Sequence, residues 1–251
     1  MKNAFFTIVL MACATAQTPT DPPALVRVIR SPLQPYSKLY ADAHAAVTVL
    51  GMTSISGPSE TWLIEAHDSF AAIEDLDKAF STAAPSGNLA PYALASDDVL
   101  APSRTLIALY RPGWSYRPEE ALKLLPKMRY LQVSIYRNRS GDDDAFASLV
   151  KSRAAGLDSI NLDRPDIAYE VISGAPSGTY LLVTPLVSLK TLDDSLAARA
   201  GRSEAGKSAA HYEIGREHLL FRIEPGISYV SDEFASGDAD FWSAKAGPQR
   251  E

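Results

Sequence analysis

Pro112-Gly113-Trp114-Ser115-Tyr116 closes one strand-like run, and Pro225-Gly226-Ile227-Ser228-Tyr229 closes another, 113 residues later. Upstream, Thr61-Trp62-Leu63-Ile64 is echoed by Thr179-Tyr180-Leu181-Leu182. A stretch that recurs together with its surroundings marks a supersecondary unit used twice, and the period of the recurrence constrains architecture more tightly than a single motif does.

Working outward from these turns, the first copy predicts a strand over Leu25–Arg30 and a short helix from Pro35 to Leu50, with Pro suited to a first helical turn. A strand over Gly51–Ser56 follows, then a Gly57-Pro58-Ser59 turn and a strand over Glu60–Ala66. Asp68 or Ser69 caps a helix whose apolar residues Phe70, Ile73, Leu76 and Phe80 fall at helical spacing. After an Ala/Pro/Ser/Asp-rich loop over 82–103, Arg104–Arg111 is the fourth strand.

The second copy repeats the order. Strands are expected over Arg129–Arg137, Ile167–Ser173, Thr179–Thr184 and His218–Glu224. One helix starts at Gly141 or Asp142 and carries Phe146, Leu149, Val150, Arg153, Leu157 and Ile160 on one side. Asp142–Asp144 suit its N-terminal end. A second helix is capped by Ser188 and carries Leu189, Leu192 and Leu196.

Each copy reads β-α-β-β-α-β, the ferredoxin-like split unit. Helices cover one face of such a sheet, and the other copy is the natural cover for its second face. The expected fold is therefore α+β. Two ferredoxin-like repeats, 17–118 and 119–232, pack sheet to sheet as one pseudo-symmetric barrel without free edges, followed by a tail over 233–251. Because both barrel halves lie in one chain, a monomer suffices.

Residues 1–16 read as a signal peptide. Lys2 supplies the positive start, Ala4–Ala12 a short apolar core, and Ala14-Thr15-Ala16 a small-residue cleavage site. Leu10-Met11-Ala12-Cys13 loosely resembles a lipobox, so a lipid anchor at Cys13 stands as the alternative to a free exported protein. The rest of the chain has no cysteine and must rely on core burial for stability. The net charge of −6 becomes one unit more negative without Lys2. That balance argues against nucleic acid or an anionic membrane as partner. No later apolar run is long enough to cross a membrane.

The duplicated element order resembles the dimeric α/β-barrel group, which includes antibiotic-biosynthesis monooxygenases, NIPSNAP-type domains and haem-handling chlorite-dismutase-like proteins. The likeness covers nearly the whole mature chain and rests on element order, so it carries over no catalytic residue. The chain also resembles exported bacterial proteins that carry runs like Gly57-Pro58-Ser59-Glu60-Thr61-Trp62 and Gly174-Ala175-Pro176-Ser177-Gly178-Thr179-Tyr180, a likeness that implies no activity.

Strand alternation sorts side chains into faces. Val26, Val28, Trp62, Ile64, Leu106 and Ala108 share one parity. Arg27, Ile29, Leu63, Glu65, His67, Ile107, Leu109 and Arg111 share the other, with Ser134, Tyr136, Leu181, Val183, Leu220, Arg222 and Glu224 as their second-copy counterparts. The more polar set is expected to face the barrel interior, where its charges must pair or bind something. Arg27, Glu65, His67, Arg111, Arg222 and Glu224 are the candidate constellation, and a self-satisfied salt-bridge network is the plain alternative.

The leading functional expectation is a small-ligand pocket between the sheets, lined by Trp62 or Tyr136 with these charges. The resemblance alone implies a second, a cofactor-free or haem-dependent oxidoreductase with His67 or His44 as base or iron ligand. His44 shares a helical stripe with Tyr36 and Tyr40. A third is a structural or partner-binding envelope protein using Phe241-Trp242 in an exposed tail. No phosphate loop, nucleophile elbow or metal-ligand spacing is present, and no cofactor is expected from the residues themselves.

Overall fold

Alternating apolar and polar residues build eight strands, and the computed structural model describes them within residues 21–31, 40, 47–83, 104–139, 141–200 and 213–243. They are β1 (Leu25–Ser31), β2 (Val49–Ser54), β3 (Thr61–His67), β4 (Arg104–Tyr110), β5 (Tyr130–Asn138), β6 (Ile167–Ser173), β7 (Thr179–Leu186) and β8 (Glu213–Ile223). The helices are α1 (Phe70–Ala83), α2 (Pro118–Leu124), α3 (Asp143–Ser159), α4 (Lys190–Ala200), α5 (Asp232–Ser236) and α6 (Ala239–Trp242). Of the expected helix over 35–50, only Tyr40 and residues 47–50 are described. The signal segment, Cys13 and His44 lie outside the described residues.

The strands close into one antiparallel barrel in the order β1-β3-β2-β8-β5-β7-β6-β4. The fold is thus α+β with a closed eight-stranded barrel. The first four strands lie side by side as β4-β1-β3-β2, and the last four as β8-β5-β7-β6, the same order shifted by four. Two short seams join these sets, β2 with β8 and β4 with β6, both antiparallel.

The recurring Pro-Gly stretches close the seams. Pro112–Trp114 and Pro225–Ile227 are both 3-10 turns. The Oγ of Ser115 donates to the Arg111 carbonyl (3.1 Å) and accepts the Ala168 N–H of β6 (2.9 Å). The Oγ of Ser228 donates to the Glu224 carbonyl (2.8 Å) and accepts the Gly51 N–H of β2 (2.9 Å). The next residues, Tyr116 and Tyr229, bridge to Asp166 and Val49. The β2–β3 and β6–β7 turns brace the same seams elsewhere. The Ile55 N–H donates to the Leu220 carbonyl of β8, and Gly174, at φ +86°, lies so close to β4 that a Cβ would run into the Thr105 carbonyl.

The interior takes the apolar parity. One cluster joins Val26, Val28, Leu50, Met52, Trp62, Leu106, Ala108, Val133, Ile135, Ile167, Tyr169, Leu181, Val183, Leu219, Phe221 and Ile223, so all eight strands contribute. Only the inside of a closed barrel brings one face of every strand together, and eight strands leave an interior that side chains just fill. The expectation that the polar set faces inward is therefore corrected. Arg27, Leu63, Glu65 and His67 point to the outer face of β1 and β3, beneath Tyr40 and α1, where Tyr40, Val49, Leu63 and Leu76 form their own cluster. Leu181 and Val183 do point inward.

The echo of Thr61-Trp62 in Thr179-Tyr180 is out of register. Trp62 lies in the interior cluster, whereas Tyr180 stacks on Phe146 of α3 on the outer face. A one-residue slip moves every side chain of a strand to the opposite face.

Two further expectations are revised. Leu196 of α4 is 68 % exposed, and Ser195 is the buried residue of that turn. β8 starts at Glu213 rather than His218. One end of the barrel is closed by the connection between the halves and by the C-terminal helices. Leu122, Leu125, Val230, Phe234, Phe241 and Trp242 all pack on the interior cluster. The Trp242 Nε1–H donates to the Pro126 carbonyl (2.7 Å), and the Arg129 guanidinium lies 3.9 Å over the Phe241 ring. Phe241 and Trp242 are docked rather than free for a partner.

Candidate functional site

Arg27 and Glu65 face each other directly across the β1–β3 ladder, and Leu25 faces His67. Residues 65 and 67 share a face because side chains alternate along a strand. This brings three ionisable groups to one point beneath the helices. Glu65 is 0 % exposed. Its carboxylate accepts from Arg27 Nε and from the Tyr40 hydroxyl, both at short range, and faces His67 Nε2 at 3.0 Å. Arg27 reaches on to Asp77 of α1 through Nη1, at 2.8 Å. Asp77 is 57 % exposed, so the network runs from a dry carboxylate to the water-facing side of α1.

Burial alone pushes Glu65 up, and it is the largest single influence. The hydrogen bonds from His67, Arg27 and Tyr40, with the Arg27 charge, together outweigh it and hold the carboxyl below its ordinary 4.5. For Arg27 burial works the other way, and Glu65 and Asp77 more than offset it, so its pKa is raised. The centre thus holds a fixed carboxylate and a fixed guanidinium.

The other expected site residues lie elsewhere. Trp62 is inside the barrel, 4.7 Å from the Phe221 ring, with its Nε1–H on Glu60 (2.8 Å). Tyr136 packs outside with Phe146 and Tyr180. The two aromatics stand on opposite sides of the sheet wall and cannot line one pocket. Arg111 pairs with Glu170 through Nε at 2.7 Å across the β4–β6 seam. Arg222 pairs with Glu224 at 2.7 Å, and Thr53 donates to the same carboxylate at 2.7 Å across the β2–β8 seam. These are seam pairs, separate from the Glu65 centre.

Tyr40 and Asp77 complete the centre. Tyr40 carried only the signal of a helical stripe, and Asp77 none beyond its place on α1, because a partner brought in by helix packing leaves no local mark in sequence.

A haem needs an open nitrogen and room for its ring. His67 offers neither, since its side chain is 1 % exposed and its Nε2 is engaged by Glu65. The described residues therefore provide no haem ligand at His67, and His44 lies outside them. Among the described residues, no group of three or more His, Cys, Asp or Glu side chains is placed to hold a metal ion. No described helix is long and apolar enough to cross a membrane.

No family model matches the chain, and no curated protein matches it. Solved structures are similar in outline. An anthrone oxidase-like protein is 12 % identical over 80 % of this chain and 92 % of its own, with a TM-score of 0.49. A monooxygenase candidate from Fusobacterium nucleatum is 9 % identical over 80 % and 93 %, with a TM-score of 0.49. A mutant chlorite dismutase from Candidatus Nitrospira defluvii is 10 % identical over 88 % and 97 %, with a TM-score of 0.48. These likenesses carry no activity over to this chain.

Proposed function

We propose that this is an exported α/β-barrel protein that binds a small ligand at the Tyr40–Arg27–Glu65–His67 centre, on the outer face of β1 and β3 rather than between the sheets. The carrying observation is an internal control. Arg27 pairs with Glu65 in the first half, while Ser134 pairs with Leu182 at the matching place in the second. Likewise Leu25 faces His67 where Gln132 faces Thr184. The same fold is built there without the charges. A buried ion cluster is often less stabilising than apolar packing of similar volume, so the scaffold has no need of it.

Two further readings belong here. The halves descend from one ferredoxin-like unit, supported by the matching strand order and the paired Ser115 and Ser228 clasps. Export rests on Lys2, Ala4–Ala12 and Ala14-Thr15-Ala16. The mass of protein taken from the native envelope decides between a start at Gln17 and a lipid on Cys13.

The functional test compares wild type with Arg27→Ser/Glu65→Leu/His67→Thr, which installs the second-half residues. Thermal melting is followed across a small-molecule panel, beside an absorption spectrum of protein from its own source. The variant is expected to stay folded and to lose the ligand-induced rises in Tm shown by wild type. A variant that cannot fold assigns the charges to structure and ends the proposal. A Soret band in the wild-type spectrum moves the reading to haem and to His44.

A further inference from the structure

We infer that Ser134 and His218 form a nucleophile–base pair, a second site on the outer face of β5 and β8 that takes an acyl group from a small carboxylic ester. It shares no residue with the Glu65 centre.

Strand register builds the pair. Ser134 and His218 face each other directly across the β5–β8 ladder. Their neighbours Val133, Ile135 and Leu219 point into the barrel, so alternation turns both side chains outward. The Ser134 Oγ lies 2.8 Å from His218 Nδ1. Tyr136, next but one along β5, sets its ring edge-on to the imidazole, with centroids 6.3 Å apart and planes at 88°. The ladder thus sets the distance, and the Tyr136 ring limits the tilt of the imidazole.

The barrel closes without such a pair. At the matching place in the first four strands, Arg27 faces Ile107 across β1 and β4. Ile107 has no polar side-chain atom, and the ladder forms there all the same. The pair is also within reach of solvent. His218 is exposed, and Ser134 keeps 8 % of its surface. A small ester approaches from the side of the imidazole.

A hydroxyl at hydrogen-bond distance from an imidazole nitrogen is the arrangement that activates a serine. With its ring proton on Nε2, His218 accepts the Ser134 O–H at Nδ1. As Oγ bonds to the acyl carbon, the hydroxyl proton passes to Nδ1. The bond from the acyl carbon to the alcohol oxygen breaks, and the departing oxygen takes that proton. Water repeats the sequence on the acyl-serine with the same base, which releases the acid and restores Ser134. No electron transfer or co-reactant is involved. Charge selects the substrate class. A neutral hydroxyl and a neutral imidazole suit an uncharged carbonyl, whereas a phosphoryl group calls for cations at its oxygens. An aryl ester, whose leaving oxygen is weakly basic, asks least of a single imidazole.

The test uses 4-nitrophenyl acetate, followed by 4-nitrophenol release and by peptide mass. Wild type is expected to give a burst of one equivalent and an acetyl group on Ser134. Ser134→Ala is expected to lose both, and His218→Gln to slow acetylation of Ser134 by about 100-fold. The wild-type rate is expected to follow an imidazole titration that His218→Gln removes, which a merely structural bond would not produce. Melting of both variants at the wild-type Tm ties these losses to the pair rather than to unfolding. Acetyl groups on lysines alone overturn the inference and leave Ser134 and His218 as a cross-strand contact. Acetylation of His218 in place of Ser134 overturns the assignment of the nucleophile. Equal rates at Ser134 in wild type and His218→Gln overturn the assignment of the base.

Discussion

Ser115 and Ser228, 113 residues apart, make the same two hydrogen bonds in opposite halves of the barrel. Each hydroxyl donates to the carbonyl four residues before it and accepts the backbone N–H of a strand from the other set of four. The repeated motif is a pair of clasps. Ser115→Ala leaves the Ala168 N–H without its acceptor, and Ser228→Ala does the same to Gly51. Each is expected to lower stability by about 1–2 kcal/mol, and the double variant by roughly the sum, since the seams share no partner. Urea unfolding of the three variants checks this. Wild-type midpoints in the singles would remove the clasp from the account of the fold.

Gly174 separates backbone strain from crowding. Gly174 and Gly141 both have positive φ, +86° and +90°, but a Cβ meets the Thr105 backbone at the first and nothing within 4 Å at the second. Gly141→Ala is expected to cost about 1 kcal/mol from conformation alone. Gly174→Ala must also push β4 from β6, and its expected cost is roughly 3 kcal/mol. Equal costs, measured by thermal unfolding, would mean that the turn relaxes away from the seam.

Much of this was legible in the sequence, and the failures share a cause. Turn chemistry and alternation located the strands, and the two Pro-Gly stretches are the 3-10 turns beside the two seams. Which face is inside is a property of closure. Val26 and Arg27 alternate in the same way whether the charges point in or out, and only the apolar contributions of all eight strands to one cluster decide it. The Trp62–Tyr180 echo failed because composition does not record register. Within the candidate constellation, parity puts Arg27, Glu65 and His67 on one face, where they meet, but Arg111, Arg222 and Glu224 have the same parity on strands that close the seams. β8 began earlier than expected because Glu213-Ile214-Gly215-Arg216-Glu217 is polar and contains Gly, so its membership rests on pairing with β5.

The Glu65 centre predicts non-additive energetics. Glu65→Leu alone strands the mostly buried end of Arg27, leaving Asp77 as its partner at the water-facing side. Removing one member of a buried pair costs about 3–5 kcal/mol, whereas replacing all members by well-packed apolar or neutral groups is often neutral. The single variant should therefore be less stable than Arg27→Ser/Glu65→Leu/His67→Thr. A triple variant that loses the full sum of its single costs would contradict the internal comparison with Ser134, Leu182 and Thr184.

The same carboxylate gives a pH signature. The folded pKa of Glu65 lies below its ordinary 4.5. The unfolded chain thus binds the proton first as pH falls, and the contribution of Glu65 is fully present above that ordinary value. It is lost as pH drops toward the lowered folded value. Asp166 runs the other way, because burial outweighs Arg153 and the other influences and raises its pKa. Its effect is loss of stability as pH rises from the ordinary carboxylate value through the raised one. Stability measured from pH 3 to 6 should show a steep acid limb in wild type that flattens in Glu65→Gln, and Asp166→Asn should act on the limb above it. An unchanged acid limb in Glu65→Gln would assign the acid transition to other carboxylates.

The C-terminal helices test whether the tail is a seal or a handle. Asp238 is held by Arg129 at 2.5 Å, and its carboxyl is kept below its ordinary range by that contact. Phe234 and Phe241 each meet Trp242 edge-on, at 5.3 and 5.0 Å, and all three rings pack on the end of the interior cluster. Ending the chain after Ser231 uncovers Leu122, Leu125 and the core residues below them. The expected outcome is a large loss of stability and binding of a hydrophobic dye, since about 25 cal/mol is lost for each Å² of apolar surface returned to water. Trp242→Ala should do part of this, by about 3 kcal/mol, while Arg129→Ala removes both the ion pair and the cation over Phe241. A truncated chain that keeps its Tm and loses only an association with another protein would show that the helices serve a partner. A chain that loses its Tm shows that they complete the barrel.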